Sequence, residues 1–175
     1  EDVVRASGLD WSIVRPPAVY GPHDTEMFEL FRAAKTRVLP MPPRGRTSVI
    51  HVDDLASLLV TLAGQRGNDR TYEPDDGRAQ GWEHGELARA IAAAVGRKAI
   101  VPRIPERLLS LAARGDRLLR GDRAKLTPDR IGYMVHPDWV ARSDRRPPPE
   151  LWEPQIDTRE GLAETARWYE AEGWL

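Results

Sequence analysis

The sequence predicts an α/β protein: the last part of a parallel β-sheet, followed by a smaller, mainly helical lobe. Two short apolar segments, residues 11–15 and 48–52, have the length and composition of buried strands. The first ends at Pro16 and Pro17, which lack the backbone N–H groups that a central strand needs. Ligands of open α/β sheets bind beyond the carboxyl ends of the strands. We therefore expect an active-site wall directly after the first strand.

Length and composition fit one globular domain. The 175 residues are 41% hydrophobic and include six Trp, which is enough apolar material for a core. The formal net charge of −1 predicts neither a nucleic-acid partner nor a membrane partner. The absence of Cys excludes disulfides and thiolate sites and is compatible with a cytoplasmic protein. The sequence has no apolar run approaching the roughly 18 residues of a transmembrane helix, and no recognisable signal peptide.

The first seven residues have the pattern of a helix end. Val3, Val4 and Ala6 are the apolar positions, and Gly8 is typical of the residue that follows a helix. A chain seldom begins inside a helix that has lost its N-cap residue. A trimmed chain and the carboxyl-terminal part of a longer protein both explain this start, and we expect the second.

The first helix after the leading strand is predicted from a cap and an apolar stripe. Gly21 and Pro22 turn the chain, and Asp24 is placed to cap the helix. The stripe has i, i+3, i+4, i+7 spacing. Its members are Met27, Leu30, Phe31 and Ala34.

The next segments alternate between irregular chain, strand and helix. Residues 38–43 are proline-rich and irregular, and residues 48–52 form the second strand. Asp53 and Asp54 open a strongly apolar helix at residues 55–63, where their carboxylates are expected to complement the helix dipole and to cap free N–H groups. Residues 71–73 form a short strand, and a turn-rich stretch follows at residues 74–81.

The second half is mainly helical. The predicted helices lie at residues 83–95, 106–119, 127–135 and 157–173. Asp157, with Glu160 three residues later, is the capping pattern that begins the last helix. Residues 99–101 have the composition of a short strand. Residues 142–149 form a charged, proline-rich loop, and its charged run at 142–146 is expected to be solvated. The cluster of Trp152, Trp168 and Trp174 is interpreted as core or inter-lobe packing rather than as a binding platform.

Three segments, in this order, resemble a known family: RPPAVYGP at residues 15–22, SVIHVDDLA at 48–56 and EGLAETARWY at 160–169. They are similar to the carboxyl-terminal half of the extended short-chain dehydrogenases/reductases, the NAD-dependent epimerase/dehydratase family. The resemblance covers essentially the whole chain. It implies that residues 1–72 are the last part of a Rossmann-like domain, with an excursion at residues 22–47. Residues 73–175 would then form the substrate-binding lobe and the terminal helix.

The resemblance also implies what this sequence does not contain. The family uses a Tyr-x-x-x-Lys pair for proton transfer and a glycine-rich loop for the cofactor pyrophosphate. Neither motif occurs here, and residues 1–7 correspond to the tail of the Tyr-Lys helix. We therefore expect no catalytic residue in this chain and no activity without the missing amino-terminal Rossmann half. NAD or NADP would be bound only by the full-length parent, and the resemblance leaves a homodimer of that parent open.

The resemblance assigns candidate binding residues. Pro17, Ala18 and Val19 would contact the nicotinamide through backbone groups, unless they merely end the strand. Tyr20 and Arg46 are the candidates for contact with a small-molecule substrate. Their alternatives are packing behind the strand for Tyr20 and a solvated loop position for Arg46.

Two departures from the family pattern concern the substrate. Sugar-nucleotide members commonly have Asn where this sequence has Ala18. They also often have Arg four residues before the position of His51, where this sequence has Thr47, with Arg46 one residue earlier. A slip of one residue on a strand exchanges its faces. Both departures favour the atypical, 3β-hydroxysteroid-like or flavonoid-reductase-like branches over nucleotide-sugar enzymes.

The remaining polar residues are interpreted as structural. His51, Asp53 and Asp54 are residue types that bind metals, but a buried strand and a helix start explain them better, so we predict no metal site. Arg15 is expected to form an ion pair. The leading hypothesis is an NAD(P)-dependent oxidoreductase or epimerase. The alternatives are a non-catalytic nucleotide-binding subunit or regulator of the same fold and a self-standing interaction domain.

Overall fold

The computed structural model describes residues 1–42, 45–105, 107, 108, 111 and 138–175. The helix predicted at residues 127–135 lies outside the described residues, as does most of the helix predicted at 106–119. None of the helices within the described ranges combines the length and apolar character that crossing a bilayer requires.

Two parallel strand pairs lie in the first half of the chain. Strand β1 (Ser12–Val14) pairs with β5 (Arg70–Tyr72), and β2 (Ala18–Tyr20) pairs with β4 (Val49–His51). The chain leaves β1 and enters β2 across Pro16 and Pro17, as the missing N–H groups require. The predicted α/β class with parallel strands is confirmed.

A third, mixed sheet joins the two halves of the chain. Its central strand β3 (Arg46–Thr47) is antiparallel to β6 (Trp82–Glu83) and parallel to β7 (Asp138–Trp139). Because two-residue strands have no measurable periodicity, this sheet could not be predicted from the sequence. The strand predicted at residues 99–101 is reduced to one bridge, between Ile100 and Val38.

Three helices pack into the larger core. They are α2 (Phe28–Lys35), α4 (His84–Ala94) and the last helix, α5 (Thr158–Ala171). The carboxylate of Asp24 accepts hydrogen bonds from the N–H groups of Glu26 and Met27, at 3.0 and 2.8 Å. Asp24 therefore caps the turn before α2, whose own N-cap residue is Met27, whereas Asp157 caps α5 itself, as predicted. Each large apolar side chain buried here contributes about 1.5–3 kcal/mol.

A smaller core lies on the other face of the β2–β4 pair. Ile50, Leu58 and Trp152 form its centre, beneath α3 (Val52–Ala63). The N-cap of α3 is His51, whose Nδ1 accepts from the N–H of Asp53, so the expected capping by Asp53 and Asp54 is wrong. A short helix α1 (Asp2–Arg5) opens the chain.

Two predictions about the carboxyl-terminal region are corrected by the structure. Trp168 and Trp174 are in contact, with ring centroids 5.2 Å apart, but Trp152 lies in the smaller core. The stretch at residues 142–149 is not fully solvated, because Arg145 and Arg146 are half-buried in ion pairs with Glu73 and Asp75. Long-range pairing of this kind leaves no pattern in the local sequence.

Candidate functional site

A cavity of about 830 Å³ opens where β1 ends and β2 begins. Its volume lies within the range of about 300–1,000 Å³ that is usual for small-molecule sites. The walls come from the strand ends, α2, the irregular segment at residues 40–42, α4 and the segment at residues 138–141. The position is the one where open α/β sheets bind ligands.

The cavity is lined mainly by apolar side chains. Among the described residues, twelve of the seventeen that line it are apolar. Those from the helices and the irregular segment are Met27, Leu30, Leu87, Pro40, Met41 and Pro42. Trp139 and Val140 close the opposite side. Such a lining suits a hydrocarbon group and offers few partners for the hydroxyl groups of a sugar.

A group of charges lies at the strand end of the cavity. Glu73 accepts hydrogen bonds from the guanidinium of Arg145 at 2.8 Å, the guanidinium of Arg15 at 3.4 Å and the N–H of Arg142 at 3.0 Å. Burial opposes ionisation of Glu73, but these hydrogen bonds and cations outweigh it and keep the pKa of Glu73 below its ordinary value. The cavity therefore has an apolar body and a polar rim.

The strand residues predicted to contact a nicotinamide divide between two faces. Pro17 and Ala18 line the cavity. Val19 points to the other side of β2, where it packs against the smaller core. This is the alternation of a strand, in which neighbouring residues face opposite sides. The contact of all three residues with a nicotinamide remains a prediction.

Tyr20 lies beneath the cavity and does not line it. Its side chain is 1% exposed and meets the ring of His51 edge to face, with ring centroids 5.2 Å apart. Its hydroxyl has no hydrogen-bond partner among the described residues. Burial raises the pKa of Tyr20, so the group is a neutral phenol at physiological pH. The substrate role of Tyr20 remains a prediction.

The guanidinium of Arg46 is hydrogen-bonded to two backbone carbonyl groups. Its Nε donates to the carbonyl oxygen of Gln80 at 2.6 Å, and its Nη2 donates to that of Gly81 at 3.4 Å. Arg46 is not among the residues that line the cavity, whereas its neighbour Thr47 is. A substrate role for Arg46 also remains a prediction, and the guanidinium would first have to leave these carbonyl groups.

A buried polar network supports the wall at residues 138–141. The backbone N–H of Ser48 donates to the carbonyl oxygen of Trp139 at 3.0 Å, and the N–H of Ala141 donates to Oγ of Ser48 at 3.1 Å. Oγ of Ser48 donates to Asp75 at 2.8 Å. Asp75 also accepts from Arg146 at 2.6 Å. The network holds the Trp139 wall in place.

The His51, Asp53 and Asp54 side chains do not converge on a common point. Asp54 accepts hydrogen bonds from the N–H groups of Gln155 and Ile156, at 3.0 and 3.1 Å. In the part of the chain that the structure describes, no group of three His, Cys, Asp or Glu side chains could hold a metal ion.

The lining residues outside the RPPAVYGP segment were missed by the sequence analysis. Met27 and Leu30 belong to the predicted stripe of α2, but a stripe does not reveal which of its members face a cavity. Trp139 and Glu73 reach the cavity only through contacts distant in sequence. The one available signal was the position of the strand end.

Solved structures with this fold include nucleotide-sugar enzymes. The crystal structure of gox2253 matches 99% of this chain with a TM-score of 0.71 at 20% identity, and 53% of its own chain is covered. UDP-glucose 4-epimerase from Thermus thermophilus, solved with NAD, matches 97% of this chain with a TM-score of 0.61 at 19% identity. The match covers 49% of that enzyme and falls on its carboxyl-terminal half. These similarities establish the Rossmann-like fold.

The chain is also similar in sequence to a curated protein. The ceramide reductase of Caulobacter vibrioides is 35% identical to this chain over 188 aligned residues, which include 100% of the chain. These similarities agree with the resemblance to the carboxyl-terminal portion of the extended short-chain dehydrogenases/reductases. The chain spans 56% of the length of that reductase. No protein-family model matches the sequence.

Proposed function

We propose that this chain is the substrate-binding and nicotinamide-pocket portion of an NAD(P)-dependent oxidoreductase of the extended short-chain type, whose substrate is a long-chain lipid carbonyl. The observation that carries the proposal is the apolar cavity at the strand end bearing Pro17 and Ala18. The relative that is named a ceramide reductase points to the same substrate class, a ceramide-type lipid.

The lining of the cavity favours a lipid over a nucleotide sugar. A sugar bound in an apolar cavity would leave its hydroxyl groups without hydrogen bonds, and each buried, unpaired polar group costs about 1–3 kcal/mol. Ala18 provides no side-chain amide, and Arg46 is directed to the carbonyl groups of Gln80 and Gly81. A hydrocarbon chain between Leu30 and Leu87 would instead displace water from an apolar surface.

The residues at the strand end fit a nicotinamide ring. Pro17 and Ala18 are small and free of charge, so a planar ring could lie against them. A bound nicotinamide cofactor supplies or accepts a hydride. The apolar side chains of Met27 and Leu30 would exclude water from the cavity. The rim formed by Arg15 and Glu73 would hold the polar end of the lipid.

The proposal places proton transfer and pyrophosphate binding outside residues 1–175. The sequence has no Tyr-x-x-x-Lys pair and no glycine-rich loop. Residues 1–175 alone are therefore expected to give no turnover, although the cavity is present. A parent protein with an intact glycine-rich loop but without the Tyr-Lys pair would instead be a nucleotide-binding protein.

The deciding experiment follows NADH and NADPH oxidation by the intact protein. The substrates are a keto form of ceramide, a short-chain analogue with the same carbonyl, and, as the sugar control, a nucleotide sugar that carries a 4-keto group. Turnover that requires the long chain, with none on the keto nucleotide sugar, supports the proposal. Turnover on the sugar nucleotide, or cofactor binding with no reaction on any of the three, contradicts it.

A matched pair of variants connects that activity to the cavity. Leu30→Lys places a charge in the apolar wall, whereas Leu59→Lys places it on the exposed face of α3. Leu30→Lys should raise KM for the long-chain substrate by about tenfold or more, since burying an unpaired charge is costly. Leu59→Lys should leave KM unchanged. Equal kinetics for the two variants would place the substrate elsewhere.

A further inference from the structure

A surface beside the cavity carries exposed aliphatic side chains. The backbone that bears them is fixed by hydrogen bonds between two segments of the chain. Helices α2 and α4 end next to each other, and the segments that follow them run parallel. The N–H of Leu39 donates to the carbonyl oxygen of Ile100 at 3.0 Å, and the N–H of Ile104 donates to that of Met41 at 2.9 Å. Leu39 and Met41 face the core, while Val38 and Ile100 are 46% and 73% exposed. The exposed pair is therefore held in place by its neighbours.

The ends of α2 and α4, together with the segments that follow them, concentrate positive charge. Residues 30–42 and 93–105 contain six cationic residues and no acidic residue, although the chain as a whole has a net charge of −1. The six are Arg32, Lys35, Arg37, Arg97, Lys98 and Arg103. Three of them, Arg37, Arg97 and Lys98, are exposed and form no ion pair with a carboxylate of the described residues. These three cations, together with Val38 and Ile100, are here named the basic aliphatic patch.

We propose that the basic aliphatic patch docks the protein on the surface of an anionic lipid bilayer. Lys and Arg side chains are attracted to anionic headgroups, and aliphatic side chains between them can enter the boundary with the acyl chains. A nucleic acid would bind the cations but would gain nothing from Val38 and Ile100. A second copy of the chain would bring like charges together.

A purely structural role would explain the cations of the basic aliphatic patch but not its exposed aliphatic side chains. Arg37 and Arg97 follow the carboxyl ends of α2 and α4, where cations favourably complement the helix dipole. That role gives no reason for Ile100 to be exposed between them. A bilayer partner accounts for both the cations and the aliphatic pair.

The patch is continuous with the substrate cavity. Pro40 and Met41, which follow Val38 in the same segment, line the cavity. Arg103 lines an adjoining cavity of about 370 Å³ that shares Met41, Pro42 and His84 with the larger one. A docked protein would therefore hold its cavity beside the bilayer that contains its substrate. Only this last step rests on the proposed function, because docking itself needs neither cofactor nor substrate.

The test is co-sedimentation of the intact protein with lipid vesicles, without cofactor or substrate. Vesicles of phosphatidylcholine alone are compared with vesicles that also contain phosphatidylglycerol, at low and high salt. We expect binding only to the anionic vesicles, weakened by salt because surface charges are screened. No binding to anionic vesicles at low salt overturns the proposal, whatever the protein's enzymatic activity.

Two matched comparisons locate the contact. The triple variant Arg37→Glu, Arg97→Glu, Lys98→Glu should bind at least about tenfold more weakly. Its control carries the same change of net charge on other surfaces, at Arg66, Arg70 and Arg167, and should bind like the unmodified protein. Ile100→Ser should weaken binding several-fold, whereas Val60→Ser, at an equally exposed position on α3, should not.

The outcomes separate the bilayer from other occupants. Equal loss in the patch triple variant and its control would mean a general charge effect and would overturn the proposal. A protein that is dimeric in solution and becomes monomeric with Ile100→Ser, without vesicle binding, would overturn it too and assign the patch to a second copy. Circular dichroism and the urea unfolding midpoint confirm that the variants are folded, as expected for exposed positions.

Discussion

Oγ of Ser48 donates a 2.8 Å hydrogen bond to the carboxylate of Asp75, and both side chains are almost completely buried. Oγ of Ser48 also accepts the N–H of Ala141, which belongs to the cavity wall. One small hydroxyl thus connects a buried charge to the Trp139 side of the site. This connection makes the shape of the cavity sensitive to substitutions that touch no ligand.

The first prediction concerns this hydroxyl. Ser48→Ala should lower the free energy of unfolding by about 1–3 kcal/mol, because it leaves the N–H of Ala141 without an acceptor and removes one donor from Asp75. Urea denaturation measures the change. Ser143→Ala, at an exposed position, is the control and should stay within about 0.5 kcal/mol. A Ser48 variant as stable as this control would contradict the account of the network.

The second prediction concerns the cation in the same network. Arg146 donates to Asp75 at 2.6 Å, and Arg146→Met would leave that carboxylate buried without its cation. The expected loss of unfolding free energy is about 3–5 kcal/mol. Arg142→Met removes an arginine of similar sequence context whose ion pair with Asp144 is exposed, and should cost less than about 1 kcal/mol. Equal losses from the two variants would show that burial of Asp75 has no energetic importance.

Much of the fold could be predicted because its signals are local. The prolines that end β1, the apolar stripe of α2 and the carboxylates of Asp24 and Asp157 each act within a few residues. The cap of α3 was assigned to the wrong residue because His51 is an uncommon N-cap. Asp54, which was expected to cap, holds the distant segment at residues 155–156 instead.

The candidate site was only partly predictable because it is assembled over long sequence distances. The strand end at Pro17 and Ala18 indicated its position. Arg145 and Arg146, by contrast, form ion pairs with Glu73 and Asp75, which lie about seventy residues earlier in the sequence. These two arginines are therefore half-buried, although their charged run has the composition of a solvated loop. Val19 was grouped with its neighbours, although the alternation of β2 turns it away from the cavity.

The third prediction concerns the contact between α5 and the strand beneath the cavity. A Cβ on Gly161 would lie 2.8 Å from the hydroxyl of Tyr20 and 2.9 Å from Cγ2 of Ile156, so something must shift. Gly161→Ala should therefore destabilise the protein by about 1–2 kcal/mol despite its better helix propensity. Urea denaturation measures the loss. Gly85→Ala in α4, where the nearest atom belongs to the flexible end of Arg89 at 3.4 Å, is the control and should not destabilise.

Tyr20→Phe separates a packing role from a substrate role. The hydroxyl has no partner among the described residues, so its removal should leave stability unchanged or slightly raised. Combined with Gly161→Ala, it should reduce the loss of unfolding free energy, because one clash is removed. A large fall in kcat/KM for Tyr20→Phe, without a change in stability, would instead assign the hydroxyl to the substrate.

The fourth prediction is a dependence of stability on pH. Glu73 has a folded-state pKa below its ordinary value, despite burial, because Arg142, Arg145 and Arg15 favour the ionised carboxylate. Its stabilising contribution is therefore present above the unfolded-state pKa and is lost as the pH falls through the lower, folded-state value. The difference in urea midpoint between the unmodified protein and Glu73→Gln should be largest near neutral pH and shrink in acid. Glu153→Gln, at an exposed residue, should show no such trend.

The last prediction tests whether the cavity beside the strand end is the reaction site. Ala18 is half-buried and faces the cavity, so Ala18→Leu would occupy space there without enlarging the core. In the intact protein, kcat/KM for the lipid carbonyl should fall by about tenfold or more, equivalent to at least about 1.4 kcal/mol of transition-state stabilisation. The unfolding free energy should change by less than about 1 kcal/mol. Ala56→Leu, at an exposed position on α3, is the control and should alter neither quantity. If Ala18→Leu reacts as fast as Ala56→Leu, the reacting carbonyl does not bind beside Ala18, because a side chain added at the reaction site must obstruct either the lipid or the nicotinamide.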